Sequence, residues 1–138
     1  MATYNFGIDK TYKAGMDLSN YQYGFVKFGA STLGSKIVNA STLSGSVIGI
    51  LQNKPVAEDE EAVVRVFGFS KVRSTTEDAG SPIVAGNWVQ CASQGWAAGL
   101  DLVNFGASQY AVGWATEAVA TGSGQWIEIF VKPYRFGL

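Results

Sequence analysis

Apolar residues in this chain fall in short alternating runs, broken by clusters of Gly, Ser, Thr and Asn, and no stretch repeats them at helical spacing. The pattern predicts strands over residues 23–28, 36–39, 46–51, 62–72, 88–92, 99–103, 110–115 and 125–132. It also predicts one helical turn over 116–120, where Glu117 stands among alanines. Two of the strands hold a Gly inside an apolar run, Ser46-Val47-Ile48-Gly49-Ile50 and Tyr110-Ala111-Val112-Gly113-Trp114. Each is followed by a polar loop and an alternating strand, Ala62-Val63-Val64-Arg65-Val66-Phe67 in one case and Trp126-Ile127-Glu128-Ile129-Phe130 in the other. The two glycines lie 64 positions apart, and one residue of slack in the second loop sets Val64-Arg65-Val66 over Ile127-Glu128-Ile129. A period of that length is too long for a solenoid repeat. It predicts a compact all-β domain over residues 21–138, a barrel or sandwich built from two similar halves at about 21–72 and 86–132. Pro82-Ile83-Val84-Ala85-Gly86 reads as the join, since Pro does not pair in a central strand and Gly86 permits a turn.

The two alternating strands have unlike faces. Val64 and Val66, and in the second copy Ile127, Ile129 and Val131, make ordinary aliphatic core faces. The opposite faces mix charge with large rings: Arg65, Phe67 and Phe69 on one strand, Trp126, Glu128 and Phe130 on the other. Aromatics and Arg are enriched at protein interfaces, so these six are candidate contacts between subunits, with Arg65 and Glu128 available to pair across the contact. Burial beneath a second sheet of the same chain is the competing account. Residues 1–20 show neither a period of 2 nor one of 3.6, yet carry Tyr4, Phe6, Tyr12 and Met16. They read either as a frayed terminus or as an extended arm that packs on a neighbour, because disordered tails are poor in aromatics.

Composition changes the picture by subtraction. Of 138 residues only 15% are charged and 47% are hydrophobic, which leaves much neutral surface for a neighbour to cover. A net charge of −1 argues against a nucleic-acid partner. No secretory leader and no apolar run of membrane-spanning length is apparent. The absence of His removes the commonest general base and metal ligand. Gly29-Ala30-Ser31-Thr32-Leu33-Gly34-Ser35-Lys36 has the glycine spacing of a phosphate loop, but Ser-Lys replaces Lys-Ser and a β-branched stretch follows, so a hairpin turn is expected. Glu58-Asp59-Glu60-Glu61 reads as a solvated loop tip rather than a cation site, since contiguous acids point apart. Cys91 alternates in phase with Val89 and is expected in the core. Trp88, Trp96, Trp114 and Trp126 are spread over both halves and read as core or interface residues before a sugar-stacking surface. No catalytic, cofactor-binding or metal-ligating set is expected, so the chain is not read as an enzyme.

Taken in order, several segments resemble the small head decoration, or capsid cement, proteins of tailed phages, over roughly residues 17 to 132. The segments are Asp17-Leu18-Ser19-Asn20-Tyr21-Gln22-Tyr23 leading to Phe25-Val26-Lys27, then Ile48-Gly49-Ile50-Leu51-Gln52-Asn53-Lys54-Pro55. They continue with Ala62 through Lys71-Val72 and with Val112-Gly113-Trp114-Ala115 closing on the last alternating strand. The acidic run, the aromatic N-terminus and Pro133-Tyr134-Arg135-Phe136 depart from that pattern. The resemblance implies a β-tulip-like barrel, made in the host cytoplasm and carried on the exterior of an expanded capsid. Its partners would be the major capsid protein and itself, as a homotrimer, with no nucleic acid, membrane or cofactor. Tyr4, Phe6, Tyr12 and Met16 would then attach to the capsid. A carbohydrate-binding β-module displayed on a virion or cell surface is the alternative. A small glycosidase working through paired carboxylates is a weaker third, since no candidate pair of acids stands outside the acidic run.

Overall fold

The computed structural model describes residues 7–40, 46–75, 82–100, 110–119 and 124–132. Regular structure among them is extended throughout, apart from two 3₁₀ turns at Ser31–Leu33 and Ser93–Gly95. The strands are β1 (Gly7–Lys13), β2 (Phe25–Phe28), β3 (Ile37–Asn39), β4 (Val47–Leu51), β5 (Glu61–Arg73), β6 (Trp88–Cys91), β7 (Ala97–Gly99), β8 (Gly113–Ala115) and β9 (Trp126–Val131). All pair antiparallel in one curled sheet of order β3-β2-β4-β5-β9-β8-β6-β7, with β1 added along β5. The chain is all-β and barrel-like, as the alternation of its sequence predicts.

The strand order is a palindrome about β5 and β9, and the registers repeat. Val26 faces Gly49 and Asn39 in the first half, and Val89 faces Gly113 and Gly99 in the second. Ile50 faces Arg65 as Trp114 faces Phe130, and Leu51 faces Val64 as Ala115 faces Ile129. The two glycines share one cause. A Cβ on Gly49 would collide with the Arg65 carbonyl oxygen, and a Cβ on Gly113 with that of Phe130, so each lets β4 or β8 approach the neighbouring backbone closely. Val64-Arg65-Val66 therefore corresponds to Ile129-Phe130-Val131, not to Ile127-Glu128-Ile129. The second loop is longer, not shorter, and a shift of two keeps the aliphatic alternation intact, which is why the sequence did not reveal it.

The apolar residues form two cores. The shared core lies inside the curl and joins both halves: Phe25, Ile50 and Val72 with Val89, Cys91, Val112, Ala115, Ile127, Ile129 and Val131. The outer core belongs to the first half, where Val26, Ile37, Leu51, Ala62 and Val64 are covered by Ala14 and Leu18, with Tyr12, Met16 and Tyr21 packed beside them. β5 serves both. Against β1 its register slips between Ile8 and Asp9, which face Phe67 and Arg65 and leave Val66 unpaired, and Gly68 follows at φ 112°. Such a bulge reverses which side the following residues face, so Val64 meets the outer core while Val72 meets the shared one.

Residues 7–20 differ from the expected arm. The stretch is extended, but as β1 it runs along β5 from Gly7↔Gly68 to Lys13↔Glu61, and Ala14 and Leu18 are wholly buried. The reason is the outer face of the first half: its aliphatic residues need a cover, and this segment supplies it. Residues 116–119 also differ from the predicted helical turn. They bend into an antiparallel bridge between Val119 and Ile83, which puts both apolar side chains in the core.

Candidate functional site

Two surface features emerge from this architecture. On the outward side of β5, β8 and β9, Phe67, Phe69, Trp114 and Phe130 form one row of rings. Phe130 stands edge-on to Phe67 at 5.1 Å and to Phe69 at 5.0 Å, and Trp114 stacks on it at 5.1 Å and 17°. Ladder pairing sets this up, since Phe69 and Trp114 face Phe130 across its two edges. Such pairs contribute about 0.5–1.5 kcal/mol beyond the area they bury. None of the four belongs to either core, and Phe67 remains 36% exposed.

The six residues read from the sequence as one interface separate into four settings. Phe67, Phe69 and Phe130 join the ring row, together with Trp114. Arg65 does not reach across to Glu128. It is 8% exposed and committed within the chain, its Nε and Nη2 donating to the two oxygens of Asp9 at 2.6 and 3.0 Å and its Nη1 to the Phe69 carbonyl at 2.7 Å. Glu128 accepts from the Thr116 hydroxyl at 3.0 Å, and its own N–H donates to Glu117 at 2.8 Å. Trp126 sits at the far end of β9, 49% exposed, with its ring edge-on to Tyr23 at 5.5 Å.

Among the candidate arm residues, Tyr12 packs edge-on to Phe28 at 5.5 Å with the Lys10 ammonium 5.4 Å from its ring centre, and Met16 lies against the outer core. Tyr4 and Phe6 lie outside the described residues, as does the 133–136 tail. The acidic run converges on a side chain: Lys36 Nζ meets Glu58 at 2.7 Å and Asp59 at 3.0 Å, while Glu60 accepts from the Val56 N–H. The bond to Glu58, then that to Asp59, holds the Lys36 amine above its ordinary value. The glycine-spaced segment before Lys36 is the hairpin turn between β2 and β3. Cys91 lies in the shared core, where burial pushes its thiol up to about 12, weakly opposed by Lys27.

The second feature is a cleft of about 200 Å³ at the seam between the halves, lined by Ser19, Asn20, Gln22, Tyr23, Lys54, Arg73, Trp96 and Trp126. The ladder sets Arg73 opposite Trp126, and the Arg73 guanidinium lies 5.3 Å from the centre of the Trp96 ring. Its Nε is buried with no hydrogen-bond partner, an arrangement that costs about 1–3 kcal/mol. Of these residues the sequence pointed only to the two tryptophans as possible ligand contacts. The others come from a loop, a turn and a strand end that only the fold brings together.

Neither a protein-family model nor a curated protein matches the sequence. Among solved structures, the chain is similar to the N base of the head fiber protein gp8.5 of bacteriophage phi29, at 14% identity and a TM-score of 0.59. The similarity covers 96% of this chain and all of that one. At that identity it is the fold that is shared.

Proposed function

We propose that this chain is a structural protein of a phage head, bound to the outer surface of the expanded capsid, where it holds neighbouring major capsid proteins together. The observation that carries the reading is the fold. Nearly the whole chain superposes on the N base of a phage head fiber protein. The outward ring row supports it, since a folded monomer gains little by holding Phe67 in water. We place the self-contact of a homotrimer on this row, where a specific interface of standard size covers about 800 Å² per partner. Capsid binding works by mass action. A protein that recognises only the assembled lattice stabilises it by ~2.7 kcal/mol per site at a hundredfold excess over Kd, and the effect repeats at every site. The chain acts by binding and not by catalysis.

The test is co-sedimentation of purified protein with unexpanded and expanded capsids of its phage, combined with sedimentation velocity of Phe67→Asp. The reading expects saturable binding to expanded capsids only, and a folded Phe67→Asp variant that is shifted to monomer and binds at least tenfold more weakly. A monomeric wild type that ignores both capsid forms would overturn it.

A further inference from the structure

The seam cleft has the chemistry of a binding site, and its argument does not depend on the head-protein reading. The first element is charge. The chain carries 10 basic and 11 acidic residues, yet the cleft is lined by Lys54 and Arg73 and by no carboxylate. Among the described residues Arg65 is paired with Asp9 and Lys36 with Glu58 and Asp59, while Lys10 and Lys71 rest over tyrosine rings. Arg73 instead rests against Trp96, itself only 6% exposed, and keeps a buried Nε without an acceptor. Arg73 also lines the cleft, and a guanidinium presents its donors in a fixed fork that suits an oxyanion, which such forks bind in pairs.

The second element is backbone conformation. Three described non-Gly residues are left-handed: Tyr23 at φ 62° lines the cleft, Gln94 at φ 58° lies two residues before the cleft residue Trp96, and Asp59 at φ 69° belongs to the acidic loop. Tyr23 lines it, pinned by its N–H to the Leu51 carbonyl and by its own carbonyl to the Arg73 N–H. The Gln94 side chain accepts from the Trp96 indole N–H at 3.3 Å. Conformations of this kind persist where surrounding structure enforces them, and they gather at ligand sites. Here they aim Tyr23 at Trp126 and fix Trp96 beneath Arg73.

The third element is shape. At about 200 Å³ the cleft is smaller than sites that enclose drug-sized ligands, so it takes one ring-sized group. Trp126, half exposed, offers a flat apolar face at the rim, and Asn20 and Gln22 offer amides, the latter held by its bond to the Gln52 carbonyl. A group with an oxyanion, an apolar ring face and flanking hydroxyls matches all of these. An acidic peptide would need a sheet edge or a long groove, and a bare inorganic anion would leave the rings without a role.

We propose that this cleft binds an acidic saccharide, a pyranose ring carrying a carboxylate, with the carboxylate on Arg73 and Lys54 and the ring face on Trp126. The experiment is a titration of the full chain with a glucuronate-containing tetrasaccharide, followed by tryptophan fluorescence and calorimetry. Glucose, acetate, inorganic phosphate and a glutamate-rich hexapeptide serve as comparison probes. The proposal expects saturable binding that weakens as salt rises, at least tenfold weaker binding of every comparison probe, and at least tenfold loss in Arg73→Gln and Trp126→Ala. Lys54→Gln should lose several-fold. Trp126 and Lys54 are exposed, so their variants keep the result readable even where Arg73→Gln fails to fold. Any one of three results would overturn the proposal: no saturable binding of the tetrasaccharide, equal binding of glucose, a simple anion or the peptide, or a folded Trp126→Ala that binds as the wild type does.

Discussion

The two halves of this molecule share one ladder register and bury opposite sides of it. In the first half Val26, Ile37, Leu51 and Val64 face outward and are covered by Leu18 and its neighbours. Their counterparts in the second half, Val89, Ala97, Ala115 and Ile129, face inward to the shared core. The other side of the first half, Phe25 and Ile50, also enters the shared core. Its counterparts, Trp88 and Trp114, are only half-buried, and Trp114 belongs to the outward ring row. One set of strand pairings thus serves two packing solutions. Aliphatic residues stand where the chain covers itself, and aromatic ones stand where the sheet looks out. The bulge in β5 at Val66, followed by Gly68, is the point at which the sides exchange.

The largest effect that would break this comparison lies in the cover of the first half. Leu18→Ala empties a fully buried position in the outer core and should cost about 2–5 kcal/mol in urea unfolding. Little change would mean that residues 14–18 pack loosely and that the two halves are covered more alike than we describe. Next come the paired glycines. Gly49→Ala and Gly113→Ala each drive a methyl into a neighbouring carbonyl, and each should lose at least about 1–3 kcal/mol. Similar losses sharpen the equivalence of β4 and β8, and a loss at only one of the two would confine the close approach to one half.

The smallest effect concerns the link between two loops of the first half through Lys36. Its folded-state pKa lies above the ordinary 10.5, so the contribution is fully present below pH 10.5 and is lost as the pH rises through the folded value. Wild type and Lys36→Met should therefore differ slightly in melting temperature at pH 7 and converge as the pH rises through the folded-state value. A difference that persists at the higher pH would assign the effect to packing of the lysine stem. Because the pair is exposed and salt-screened, 1 M salt at pH 7 should shrink the difference as well.

Seven of the nine strands were legible in the alternation, while β7 at Ala97–Gly99 shares only Gly99 with the strand expected over 99–103; the paired glycines were legible too, because a Gly within an apolar run marks a close backbone approach. β1 was not, because its residues alternate between solvent and the edge of β5 without an apolar period: Asp9 reaches Arg65, Ile8 is exposed, and only Tyr12 turns inward. The Phe67–Phe69–Phe130 row was legible as a face, whereas the pairing of Arg65 with Asp9 was not. A period of 2 records which residues share a side, and this is a local property of the chain. Which side is covered, and by what, depends on segments far apart in sequence and on a single unpaired residue in β5. The cleft shows the same limit, since Asn20, Lys54, Arg73 and Trp126 come from four separate stretches of chain. The sequence by itself determined most of the strands and the two unlike faces of the alternating pair. Only the tertiary structure decided which face became core, because burial is settled by the surface that packs against a residue and not by the residue alone.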